Sequence, residues 1–299
     1  MSHGVTVTSF HALSTIPAAF GTLLPADFSS TEALLVEVLA EASISDPVRI
    51  RWSDVQASSV RTLILVEADA KCTIVEEIDS AHPSHGIEVI VADGADVTII
   101  TADLSTFSKR NRSLRGQVGA NAHLRWHGAD LSSGMTTLHN RLAGAAAECP
   151  VEWMFLAKKT MRRQVDVQTT FDAPRGGGEI VIRGIAQDRA RASARGLIAI
   201  GPDGGGTHTH LTEEVLMLDP TAHVDALPAL EIKTNDVRAS HSATVRRLRE
   251  EDLFYFASRG ISRTEARSML IAGFLGSIVD RIPDSRLQDA IRARTGMQI

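Results

Sequence analysis

Cysteine is nearly absent. The chain has two, Cys72 and Cys149, far apart and in no CxxC spacing. That excludes a disulfide scaffold and a self-contained four-cysteine metal site, and it fits a reducing compartment, the cytoplasm. Aromatic side chains make up 4% of the residues, with one tyrosine and three tryptophans, which suits a narrow core filled by Val, Ile, Leu and Ala. No apolar run approaches the ~18 residues of a membrane span. The opening "MSHGVTVTSF" has neither the basic nor the continuous apolar region of a secretory leader. An excess of positive charge is also lacking: the net charge is −5, so the chain as a whole has no footprint for nucleic acid or an anionic membrane. Its basic clusters, at 109–115, 189–195 and 246–249, read as solvated faces.

What is there is a repeat. "LVEADAKCTIV" (65–75) can be laid on "IVADGADVTII" (90–100), and the turn alanines Ala70, Ala95, Ala122 and Ala147 follow at spacings of 25, 27 and 25, with a further copy at Ala222. A short β run, a tight turn and another short run, returning at near-constant spacing, describe a chain that winds. Each coil then stacks on the one before and buries a face it cannot bury alone. This predicts a mainly β protein with an irregular β-helix over 47–245. Residues 1–46 form a preceding segment, with "SSTEALLVEVLAEA" (29–42) expected as a short helix capped by Ser30 or Thr31 and striped by Leu34, Leu35, Val38 and Leu39. After Val245 the period changes. A helix ending at Gly260, a second begun by the Ser262/Glu265 capping box and a third over 284–295 make a small C-terminal helical domain, 246–299. Met269, Leu270, Phe274, Ile278 and Val279 are the expected apolar side of the second helix.

Chemistry-bearing motifs are sparse. The glycine-rich "PRGGGEI" and "GPDGGGTHTH" match no phosphate loop and open no helix. His82 with His85, His123 with His127 and His208 with His210 lack carboxylates at ligand spacing in the sequence, and read as surface or turn residues. No nucleophile elbow, HExxH or isolated carboxylate pair is present. A β-helix carbohydrate-active enzyme would need exposed carboxylates and aromatic sugar platforms, which this composition does not favour. One residue stands out. In "DVRASHSATV" (236–245), alternation puts His241 on the apolar face with Val237, Ala239, Ala243 and Val245, as a core or interface imidazole or a metal ligand.

That residue lies inside a longer signature. "LPALEIKTNDVRASHSATVRRLREEDLFYFASRGISRTEARSMLIAGF" (227–274) resembles the C-terminal region of the SufB/SufD family, scaffold proteins of the SUF iron–sulfur cluster assembly machinery. Weaker similarity runs back to about residue 47 through "RTLILVEADAKCTIVEE" and "QVDVQTTF". The resemblance implies a right-handed parallel β-helix followed by a helical C-terminal part, and a non-enzymatic scaffold. It implies that His241 binds a transient iron–sulfur cluster at an interface with a second chain, in a homodimer or with a SufB-like partner. It also implies that a SufC-type ABC ATPase docks on the helices, through Leu253, Phe254, Tyr255, Arg259, Gly260 and Phe274. The chain departs from thiol-bearing members at Ala239, where they have cysteine. Ser240 and Ser242 stand where the SufB branch has a Glu-His-Glu pattern, and Phe171 replaces an upstream histidine. These departures bring it closer to SufD and leave a second expectation open: a structural or regulatory member that binds no cluster. Cys72 and Cys149, each in an apolar strand context, are expected to be buried.

Overall fold

The computed structural model describes residues 4–10, 31–53, 57–81, 83–105 and 109–297. The chain winds as a parallel β-solenoid, each coil giving one strand to each of two sheets. The first sheet contains β2 (Thr31–Val38), β4 (Ser59–Val66), β6 (Ser84–Val91), β8 (Arg110–Val118), β10 (Gly134–Leu142), β12 (Arg162–Phe171), β14 (Arg191–Ile200) and β16 (His223–Ile232), all parallel and in that spatial order. The second contains β3 (Val48–Trp52), β5 (Lys71–Ile78), β7 (Asp96–Asp103), β9 (His123–Asp130), β11 (Val151–Ala157), β13 (Gly177–Ala186), β15 (Thr207–Met217) and β17 (Val237–Arg247). At the N-terminal end β1 (Val5–Phe10) adds to β2 antiparallel.

One corner is built the same way in coil after coil. Glu41, Asp69, Gly94, Asn121, Ala146, Arg175 and Gly206 all take the left-handed conformation there. Their N–H groups donate to the next coil, as in Asp69 to Asp93 O (3.1 Å) and Gly94 to Ala120 O (2.9 Å). The residue after each points into the corner. Ala70, Ala95, Ala122 and Ala147 are fully buried in this place, because only a small side chain fits inside so tight a bend. Ala222 is different: with Ala190 it lies at the opposite corner, where the chain passes from the second sheet to the first. Both corners need a buried small residue after a turn, so they look alike in sequence.

The expected helix over 29–42 is not present among the described residues; Thr31–Val38 is strand β2, and Ser30 lies outside them. Val36 and Val38 face the interior, while Ala33 and Leu35 are buried on the outer face. Burial on both faces erases the alternation that marks a strand and leaves a run that mimics a helical stripe.

The helices are α1 (Glu250–Ser258), α2 (Arg263–Val279) and α3 (Ser285–Thr295). The Ser262/Glu265 capping box forms as expected, and Gly260 is left-handed at φ 77°. Rather than standing apart, α2 and α3 fold back over the outer face of the second sheet. Ile271, Leu275, Ile278, Leu287 and Ile291 share one core with Val75, Ile100, Met154, Ile185 and Leu216 of the strands. Of the expected apolar side of α2, Ile278 and Val279 are buried, but towards its N-terminal half the buried face is turned: Met269 is half exposed and Leu270 and Phe274 are only partly covered. Among the described residues no helix is long and apolar enough to cross a membrane.

Candidate functional site at the open end

A solenoid whose last coil carries no cap exposes what every other coil buries. β16 pairs only with β14, and β17 only with β15. On β17 the inward face is Val237, Ala239, His241, Ala243 and Val245, registered on Thr207, Thr209, Leu211, Glu213 and Val215 of the coil beneath. Those five are buried; their β17 counterparts are half-buried or exposed. His241 thus lies on the apolar face as alternation requires, above the fully buried Leu211, yet its ring is exposed because no further coil covers it. The outer face of β17 carries Ser240, whose hydroxyl is 2.7 Å from His210 Nδ1.

As a holder for an iron–sulfur cluster, the inward face of this end supplies one imidazole, that of His241, and no thiol. Among the described residues no group of three or more His, Cys, Asp or Glu could hold a metal ion. Cys72 and Cys149 are buried within the solenoid. Burial, with Asp96 nearby, pushes the Cys72 thiol up to about 12, and burial alone raises that of Cys149 further, so both are protonated thiols and poor sulfur nucleophiles. Among the described residues His241 has no companion donors with which to hold a cluster.

A second feature of this end was not legible in the sequence. Glu213, directly beneath Ala243, is fully buried, and neither carboxylate oxygen has a hydrogen-bond partner. Burial raises its pKa to about 7; the Gly196 and Leu227 backbone groups nearby, outside good hydrogen-bond geometry, lower it in part.

The expected partner-binding residues divide. Phe254 (75% exposed) and Tyr255 (59%) project from α1, with Arg259 stacked on the Tyr255 ring at 5.6 Å and Gly260 exposed beside it. Leu253 does not belong to that face: it is buried, tying α1 down. Phe274 is also turned inward, under the Arg183 guanidinium of the second sheet (5.8 Å).

Carboxylates that sequence spacing hid stand one coil away from several histidines. His123 faces Glu148 at 3.1 Å and His127 faces Glu152 at 3.2 Å. His85 is no turn residue: it is buried 2.8 Å from Glu76, which also accepts from Trp52 Nε1 at 3.0 Å. His82 lies outside the described residues. Around His85 the interior holds a seam of paired charges, with Arg110 on Asp103 (2.9 Å) and Arg112 on Asp130 (2.7 Å).

Comparison with known proteins agrees with the signature. The family model for the SUF system FeS cluster assembly SufBD core domain matches residues 49–274. The iron–sulfur cluster assembly protein SufD of Escherichia coli (strain K12) is 27% identical over 259 residues, 75% of this chain and 60% of that protein. SufB of Bacillus subtilis (strain 168) is 27% identical over 233 residues, 75% of this chain and 50% of that protein. A SufBD family protein of Mycobacterium tuberculosis (strain H37Rv) is 28% identical over 210 residues, 69% of this chain and 24% of that protein. The chain therefore spans less than two thirds of the length of these relatives, and identity does not separate it toward SufD or SufB. With the matched model covering most of its length and the parallel solenoid in place, the chain belongs to the SufBD family of SUF iron–sulfur cluster assembly.

Proposed function

We propose that this chain is a non-enzymatic scaffold subunit of a SUF assembly complex. The observation that carries this reading is the uncapped last coil, whose two edge strands expose an apolar inward face centred on His241. Unpaired strand edges are templates for another chain. A second copy, or a SufB-like partner, continues the sheets across this end and supplies the donors that His241 lacks. The transient cluster is cargo held between the two chains, and a neutral imidazole suits a ligand that must also let go. A SufC-type ABC ATPase docks on the exposed side of α1 through Phe254, Tyr255, Arg259 and Gly260, close to the interface it would move.

One observation favours a second reading, a structural or regulatory subunit. The open end has no thiol and no three-donor cluster among the described residues. The test is anaerobic co-expression with a SufC-type ATPase, with and without a SufB-like chain, followed by co-purification and iron and sulfide analysis. The scaffold reading expects ATPase retention with labile iron and sulfide, both lost to background in His241→Ala while the complex persists. Retention without iron in every combination selects the structural reading. ATPase retention unchanged in Phe254→Ala/Tyr255→Ala refutes docking on α1.

A further inference from the structure

The basic clusters at 109–115 and 189–195 do not remain separate solvated faces. Strand register stacks Arg110, Gly134, Arg163 and Ala192 in successive coils, so the residues before them, Lys109, Ser133, Arg162 and Arg191, form one outward row. At ~4.8 Å per coil the row is ~14 Å long. It lines a groove of about 660 Å³ with Asn111, Gln164 and Ser193 alongside. Lys109, Arg162 and Arg191 are exposed, and no carboxylate of the described residues lies within ion-pair distance of them.

A buried charge stands behind this row. Arg163 also lines the groove, yet it is 1% exposed. It shares Asp130 with Arg112, and at 3.9 Å against 2.7 Å it has the weaker hold; its remaining bonds go to Ser132 O, Gln164 O and Thr136 Oγ1. The nearby carboxylates are used elsewhere. Asp188 accepts from the Lys159 N–H, and Asp219 from the Asp188 N–H and from Arg267, which leaves Asp225 as the one acidic lining residue. A guanidinium with only part of a counter-ion, behind three exposed cations, makes a site of positive potential on a chain whose net charge is −5.

We propose that this groove binds an extended acidic peptide segment of a partner protein. Side chains on one side of an extended chain recur every ~6.8 Å, so carboxylates at alternate positions span Lys109 to Arg191 within five residues. Asn111, Gln164, Ser133 and Ser193 offer the donors and acceptors that a peptide backbone needs. Among the described residues no aromatic ring lines the groove, and stacking on such rings is what holds single-stranded nucleic acid.

The test is fluorescence anisotropy of a labelled (Glu-Ser)₅ peptide titrated with the full chain at low and moderate salt. Inorganic tripolyphosphate and a single-stranded oligonucleotide serve as competitors. Binding should be saturable, weaken with salt, and fall at least tenfold when Lys109→Glu, Arg162→Glu and Arg191→Glu are combined. Arg246→Glu/Arg247→Glu should leave it unchanged, and unchanged thermal melting would show that each variant is folded. Absence of saturable binding, equal binding by the triple variant, or equal loss in the control variant overturns the proposal. Displacement by tripolyphosphate or the oligonucleotide at lower concentration than by unlabelled peptide overturns the choice of a peptide.

Discussion

Glu213 shows what one residue at the open end costs. A carboxylate buried without a hydrogen bond is disfavoured in its charged form, and its pKa of about 7 lies above the ordinary ~4.3 of glutamate. Between these two values the unfolded chain has lost the proton that the folded chain keeps. Stability therefore falls as pH rises from about 4.3 to about 7, and the full penalty stands above that. Glu213→Gln removes the charge and keeps the shape. It should stabilise the protein at pH 8 by an amount on the order of 2–3 kcal/mol and make little difference at pH 4. Glu88 is also raised to about 7, so the comparison must be the difference between variant and wild type in urea melts at both pH values. An equal effect at both pH values would mean that Glu213 is solvated. Nothing in "THLTEEVLM" marks Glu213 as different from Glu214, because the distinction lies in which face the coil turns inward. His241 was legible for the opposite reason: its strand alternates cleanly, and its place in the signature fixes it at the end of the stack.

At the scale of the element, the turn is what the sequence repeats. The corner alanines betray the winding because every coil must place a small residue inside the same bend, preceded by a left-handed one. That requirement is backbone geometry, so it survives where strand lengths drift. Ala146 holds φ 55° with a Cβ, a conformation that costs an L-residue roughly 1–2 kcal/mol. Ala146→Gly relieves it, less the extra chain entropy that glycine loses on folding. The expected result is a net gain of about 0.5–1 kcal/mol, read as a higher denaturation midpoint in urea at unchanged slope. A loss of stability would mean that the Ala146 methyl makes packing contacts worth more than the strain. What the sequence hid at this scale was β2, whose two buried faces remove the period that tells strand from helix, and the rotation of α2. An outer residue such as Met269 is as apolar as the inner ones, so composition alone cannot say which stripe meets the sheet.

At the scale of the molecule, the helices decide how the solenoid behaves. From sequence they are an appendage after the last strand. In the fold, α3 reaches back along the stack: Arg294 Nη1 donates to Leu104 O at 2.7 Å and Asp284 pairs with Arg49. This ties the last residues to the first coils, a relation no local pattern encodes. A repeat stack alone is nearly one-dimensional and can fray coil by coil, whereas a helical clasp over several coils couples them. Leu275 is the residue to test, since it is fully buried in the shared core between α2 and the second sheet. Leu275→Ala should cost about 2–5 kcal/mol. If the clasp makes the assembly cooperative, that loss lowers the midpoint of one calorimetric transition, and amide exchange quickens in β9 and β11 as well as in α2. If α2 instead detaches alone, exchange rises in the helices only and the strands keep wild-type protection. In that case a partner docked on α1, as proposed, could not transmit movement to the open end through α2, and motion at His241 would have to pass through the short link between β17 and α1.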